Sequence, residues 1–306
     1  MLAAIVQFSR SLTLLAACAT LPVALAQTDT ESFFEKIDTL QASHASSAER
    51  IAALSALFHG APYVDGNLGE GTQGKYDRDP LYRFDVFDCT TYVETVLAGA
   101  LSTSANDFAS NMRRIRYQGG HVSFVSRNHF ASADWIPNNQ WLLEDISEAV
   151  GQEQTLMANT LIDKPAWYQA MSENRLQGLP DGIDRSALLQ ALQQEGKHFK
   201  AQQVSTPYVP LSAVYQGEKI NRALLDRIPS GSIISMVRPD YDVKKWIGTN
   251  LNITHQSIAI RKAGTLYLRH ASQFKKEVID EDFVEYFQKY DSKSTLKGFN
   301  VQQPTF

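Results

Sequence analysis

Phe87-Asp88-Cys89-Thr90-Thr91-Tyr92-Val93-Glu94-Thr95-Val96-Leu97-Ala98 opens a helix on a cysteine. Asp88 is a capping residue type, Thr91 and Glu94 have the Ser/Thr-x-x-Glu spacing of a capping box, and Val93, Val96 and Leu97 form an apolar stripe. Cys89 therefore falls in the first turn. Unpaired amide hydrogens and the positive end of the helix dipole favour a thiolate there, which predicts a pKa below the ~8.5 of a free thiol. Two readings are open from this stretch alone: a nucleophile, or a buried structural thiol.

The chain begins as exported proteins do. Arg10 supplies positive charge, an apolar stretch covers residues 11–23, and Ala24-Leu25-Ala26 forms an A-x-A cleavage site before Gln27. Residues 1–26 are thus expected to be a signal peptide, with the mature protein as one domain over 27–306. A competing pattern, Leu15-Ala16-Ala17-Cys18, looks like a lipobox whose cysteine would carry a lipid anchor. Either route leaves Cys89 as the lone free thiol of the mature chain, in a compartment where paired cysteines are the norm. Net charge is -4, and removal of Arg10 makes it -5, so no nucleic acid partner is implied. The basic cluster Arg113-Arg114-Ile115-Arg116 reads as the solvated end of a helix.

Helices are expected first and strands last. Phe33, Phe34, Ile37 and Leu40 share one face; Ser46 and Glu49 form a capping box before Ile51, Leu54, Leu57 and Phe58. A polar, aspartate-rich loop then leads to the Cys89 helix. A further helix carries Phe108, Met112 and Ile115 and is stopped by Gly119-Gly120. From residue 120 to about 207 no period is sustained, and short helices are expected near 166–171 and 184–194. Strands are expected at 231–237, 253–260 and 265–270, with Lys262-Ala263-Gly264 turning the last two into a hairpin. This order predicts an α+β fold with the Cys89 helix packed on a C-terminal antiparallel sheet and an insertion around 116–207.

His255 and His270 lie on the two hairpin strands at comparable distances from the turn, so adjacent strands can bring their rings together. A thiol activated by an imidazole that a third polar group orients is the arrangement nucleophilic catalysis requires. Two hydrogen-bonded structural histidines would fit the same pattern. The rival chemistry is zinc held by His121, His129, Asp134 and Cys89, although neither H-E-x-x-H nor C-x-x-C is present.

Taken in order, Ala61-Pro62-Tyr63-Val64, Asp88-Cys89-Thr90-Thr91-Tyr92-Val93-Glu94, Arg116-Tyr117-Gln118-Gly119-Gly120, Arg127-Asn128-His129-Phe130 with Asp134-Trp135-Ile136, Thr254-His255 and Arg269-His270-Ala271-Ser272 go beyond local pattern. Together they resemble the N-acetylmuramoyl-L-alanine amidase-like family of NlpC-type, papain-like cell-wall hydrolases. The resemblance implies Cys89 as nucleophile, His255 as general base, His270 as its orienting residue and Tyr63 as a neighbour of the oxyanion. It makes Arg127, His129, Asp134 and Trp135 candidates for substrate binding, against the reading of a buried polar network. Gln256-Ser257 departs from the Val-Gly usual after the histidine.

The resemblance implies a periplasmic or otherwise exported cysteine amidase acting on peptidoglycan or its fragments, with no metal and no organic cofactor. The expected bond joins the muramoyl lactyl group to L-alanine. Cleavage between D-glutamate and a diamino acid is the alternative within the wider superfamily, and a catalytically inactive muropeptide-binding protein is the alternative of another class.

Overall fold

Four helices build one side of the molecule: α1 (Ala24–Ala42), α2 (Ser47–Ala56), α3 (Cys89–Leu101) and α4 (Ala105–Arg116). The computed structural model describes residues 24–217 and 219–306. Most of the expected export signal, and Cys18 with it, lie outside those residues. Ser46 and Glu49 close the capping box of α2 as expected, and Gly119 and Gly120 end the α4 segment with φ of 61° and 74°, a region glycine enters without a Cβ clash.

The helices pack through aromatic rings. Phe33, Phe58, Phe84, Phe87 and Phe108 are buried and meet one another at centroid separations between 4.8 and 5.9 Å. Each such side chain contributes roughly 1.5–3 kcal/mol on burial. Gly99 lets α3 approach α1, since a Cβ there would lie 2.5 Å from the Phe33 ring. Phe87, two residues before Cys89, is fully buried and anchors the entry into α3.

The strands are β1 (Leu143–Asp145), β2 (Leu156–Ile162), β3 (Gln202–Pro210), a small hairpin of β4 (Tyr215–Gln216) and β5 (Lys219–Ile220), then β6 (Ile233–Tyr241), β7 (Leu251–Lys262), β8 (Thr265–Ser272), β9 (Glu277–Asp282) and β10 (Gly298–Pro304). All but the small hairpin join one antiparallel sheet in the order β2-β3-β10-β6-β7-β8-β9, with β1 also paired to β10. The protein is therefore a mixed α/β fold with an antiparallel sheet. The turn between β7 and β8 is Ala263-Gly264, as the sequence implied.

One face of this sheet, with Ile253, Ile258, Ile260 and Ala271, packs on α3 and its neighbours. On the other, Met236, Ala259 and Leu268 pack with Phe283 and Phe287 of the helix Phe283–Gln288 and with Phe299. A third apolar cluster, including Tyr76, Phe124, Phe130, Trp167, Tyr168 and Leu192, underlies the region expected as an insertion.

That region differs from expectation in one respect. Helices do form at Lys164–Gln169 and Arg185–Gly196, but β2 and β3 flank them and extend the main sheet. Their signal was masked: β2 exposes Leu156, Met157 and Leu161 to solvent, and β3 carries Pro207 and Pro210. Exposed apolar residues and prolines both obscure a strand pattern.

Candidate functional site

Cys89 is the first residue of α3, as expected, but the cap is built differently. The Asp88 carboxylate accepts from the Thr91 amide at 2.8 Å, and the Asp88 amide donates to Thr91 Oγ1 at 2.9 Å. Glu94 takes no part in a capping box. It is 2% exposed and accepts from Arg116 Nε at 2.7 Å and Trp135 Nε1 at 3.1 Å. Arg116 is accordingly 3% exposed, so the basic end of α4 is not wholly solvated. A carboxylate five residues after Cys89 thus ties α3 to α4 and to the Trp135 segment.

The expected thiolate is also corrected. Burial, with the Asp88 carboxylate second, pushes the Cys89 thiol up to about 12, outweighing the amides of Gln256 and Thr90 that favour the anion. At neutral pH the group is a thiol. Thr90 Oγ1 lies 3.9 Å from the sulfur and donates to Gln256 Oε1 at 2.9 Å. Gln256 Nε2 is buried without a hydrogen-bond partner.

The histidines arrive from the sheet. Pairing between β6 and β7 slips between Met236–His255 and Val237–Ile253, which leaves Thr254 as an extra residue beside His255. Such a bulge re-aims a neighbouring side chain. His255 Nε2 and His270 Nδ1 are 2.6 Å apart, and His270 Nε2 is 3.0 Å from Glu281 Oε2. Lys289 Nζ donates to the other Glu281 oxygen at 2.9 Å. Glu281 faces Leu268 across the β8–β9 ladder and so sits diagonal to His270 on one face. On the opposite face Arg269 pairs with Asp280 and donates to Ala52 O and Ser55 Oγ of α2, clamping β8 against the helices.

Glu281 fixes the proton positions. The hydrogen bond from His270, helped by Lys289, holds its carboxyl down to about 2, so it is a carboxylate that only accepts. His270 Nε2 must donate to it, His270 Nδ1 then accepts from His255 Nε2–H, and His255 Nδ1 is left with its lone pair free. Burial first, and then the neighbouring His270, push His255 down to about 3, so the ring is neutral at pH 7. No sequence pattern singled out Glu281. Its only signal was alternation along a strand, as the next-to-last residue of β9, which requires the β8–β9 register to interpret.

Cys89 and His255 line one cavity of about 200 Å³, with Thr90, Asn128, His129, Phe130 and Trp135 among the other walls. No hydrogen bond joins the sulfur to the imidazole. Tyr63 is brought close by a bridge to Phe87. Burial, followed by the nearby Cys89 and acidic charges, raises its phenol, which therefore stays a neutral donor. A larger cleft of about 640 Å³, whose walls include Glu70, Lys75, Arg113 and His121, contains neither Cys89 nor the two strand histidines.

The four substrate-binding candidates separate. His129 lines the cavity; its Nε2–H donates to Phe124 O at 2.7 Å and burial holds it neutral. Trp135 backs the same cavity, yet it is 0% exposed and its indole is committed to Glu94. Arg127 is paired with Glu70 and Asp77, and Asp134 with Lys164. Arg127 and Asp134 thus both carry ion-paired charges within the segment 116–207. His121 lies on the separate cleft. Among the described residues no cluster of three or more His, Cys, Asp or Glu side chains is arranged to hold a metal, so the zinc alternative has no site there.

Comparison with known proteins follows the same outline. A crystal structure of a Legionella pneumophila protein, assigned to a domain family of unknown function, superimposes with a TM-score of 0.85 at 36% identity, over 92% of this chain and 97% of that one. An N-acetylmuramoyl-L-alanine amidase from Bacteroides uniformis shares the fold at a TM-score of 0.57 and 21% identity, over 85% and 99% of the two chains. A Bacteroides fragilis structure described provisionally as a xylanase gives 0.56 and 26%, over 81% and 98%. No curated protein matches. The model of the N-acetylmuramoyl-L-alanine amidase-like family matches residues 53–295, which include Cys89, His255, His270 and Glu281. The chain belongs to the N-acetylmuramoyl-L-alanine amidase-like family.

Proposed function

We propose that this protein is an exported cysteine amidase of the NlpC-type, papain-like class, cleaving the amide between the muramoyl lactyl group and L-alanine in peptidoglycan or its fragments. The observation that carries the reading is the juxtaposition of Cys89 with a His255–His270–Glu281 chain whose hydrogen bonds leave one basic nitrogen on His255.

The resting site is a neutral thiol beside a neutral base. On substrate binding, His255 Nδ1 takes the thiol proton and Cys89 Sγ adds to the amide carbonyl. The Cys89 amide, first in α3 and without an intrahelical acceptor, donates to the oxyanion, with the Tyr63 hydroxyl as the second donor. The imidazolium then protonates the leaving amine, the carbon–nitrogen bond breaks, and a thioester remains on Cys89. His255 next takes a proton from water, hydroxide adds to the thioester, and the released thiolate regains the proton. Glu281 stabilises the positive charge that passes through the two rings.

Mass spectrometry of products from a defined muropeptide tests the bond. Release of amino sugar and an intact peptide beginning with L-alanine supports the proposal; release of L-alanyl-D-glutamate, or its muramoyl form, makes the enzyme an endopeptidase. Cys89→Ser and His255→Ala are expected to abolish product in either case. A second reading, a muropeptide-binding protein without turnover, is favoured by the neutral thiol and its lack of a hydrogen bond to His255. Binding of muropeptide with no product from the unaltered protein would establish it.

A further inference from the structure

A second chamber, about 260 Å³, lies beside the first and shares Thr254 and His255 with it. Nothing in the mechanism above uses its most polar wall, Arg238. This residue is on β6, two positions from Met236, so it projects on the same face as the histidine chain. Its Nε donates to Thr254 Oγ1 at 3.1 Å and its Nη1 donates to Thr295 Oγ1. The rings of Tyr241 and Tyr290 lie 5.5 and 6.0 Å from the guanidinium carbon. No carboxylate pairs with it among the described residues, in contrast to Arg83, Arg116, Arg127 and Arg269.

The guanidinium is therefore oriented by two hydroxyls and two aromatic faces while its charge stays unneutralised. Phe274, 87% exposed, stands at the rim on the β8–β9 turn. An oriented arginine with free donors is built to take a planar anion, and carboxylate is the anion its fork fits. Position decides which part of the substrate brings it. The acyl half of the amide ends on Cys89 in the first chamber, whereas the leaving amine must be within reach of His255, which lines both chambers.

We infer that this chamber is the subsite for the amine-side peptide, and that Arg238 recognises a carboxylate on it. The inference rests on the amidase reading for the identity of the leaving group. Binding separates the two: it is measured without cleavage, so an error about the bond leaves the result interpretable.

The probe is L-alanyl-D-glutamic acid with its γ-carboxyl capped as the methylamide, so that the α-carboxylate is its one free carboxylate, compared with the same compound amidated at the α position. Both are titrated calorimetrically into full-length protein carrying Cys89→Ser. Loss of a charge-assisted contact predicts that amidation weakens binding by roughly ten- to a hundredfold. Adding Arg238→Gln should remove that difference, with the amidated probe binding as before; Arg238→Lys should restore part of it. Equal affinity for the two probes, or a preference that survives Arg238→Gln, overturns the inference. So would an Arg238-dependent affinity for N-acetylmuramic acid exceeding that for the dipeptide, because the chamber would then hold the sugar side. The comparison of probes needs no change at Arg238, so it stands even if the substitutions impair folding.

Discussion

Replacing Glu281 by glutamine changes one oxygen to an amide and leaves the fold's volume untouched, yet it is expected to reverse the proton order of the histidine chain. In the native chain the Glu281 carboxylate can only accept from His270 Nε2, at 3.0 Å. Lys289 Nζ, at 2.9 Å from the other oxygen, is a second donor. A glutamine that keeps its carbonyl toward lysine must turn its NH₂ toward His270 Nε2. That nitrogen then accepts, His270 Nδ1 donates across the 2.6 Å contact, and His255 is left with its hydrogen on Nδ1, where the base lone pair is needed. A wrong-tautomer base in a hydrolase triad costs about 10⁴ in kcat, and loss of an orienting partner alone costs roughly 10–100. Glu281→Gln should therefore lower kcat by at least a hundredfold, more than Glu281→Ala, with little change in KM. Lys289→Met, added to Glu281→Gln, should recover part of the loss by letting the amide turn its oxygen to His270. Imidazole ¹⁵N shifts report the tautomers directly. Activity within twofold of the unaltered protein, or unchanged tautomers, would refute the relay.

Other expectations follow from the same geometry. Because burial holds Cys89 at about 12, its alkylation by a neutral reagent should rise about tenfold per pH unit from 6 to 9 without a plateau; a plateau below pH 8 would mean a preformed thiolate. Glu94→Ala strands the Arg116 guanidinium and removes the Trp135 acceptor, and should destabilise the protein by about 3–5 kcal/mol in denaturant unfolding. A loss under 1 kcal/mol would show that water repairs the gap. Trp135→Ala should likewise lose about 3–5 kcal/mol, with thiol reactivity and substrate use falling together, because the residue is fully buried. Stability should also decline as the pH drops from about 6.5 toward 3. His255 is depressed to about 3, so the unfolded chain takes a proton there that the folded one refuses; Glu281, depressed to about 2, adds to the decline from 4.5 downward. His255→Gln should flatten the upper part of this slope in denaturation midpoints, and an unchanged slope would count against a buried neutral ring.

Much of the site's scaffold was legible in the chain because its determinants are local. Cap chemistry and a periodic stripe put Cys89 in the first turn of α3, and the Ala263-Gly264 turn fixed that His255 and His270 occupy neighbouring strands. Periodicity likewise marked α2, α4 and the three strands β6, β7 and β8. What the tertiary structure decided depends on partners distant in sequence. Glu94 satisfies a capping-box spacing, yet Arg116 and Trp135 claim it. The helix terminus favours a thiolate at Cys89, yet burial beside Asp88 reverses the direction. Arg127 and Asp134 look like binding groups until Glu70, Asp77 and Lys164 are seen to neutralise them. Glu281, in turn, acquires its position only through the β8–β9 register. Local sequence sets which backbone conformation a residue prefers; desolvation and charge pairing, which set its chemistry, depend on what the folded chain places around it.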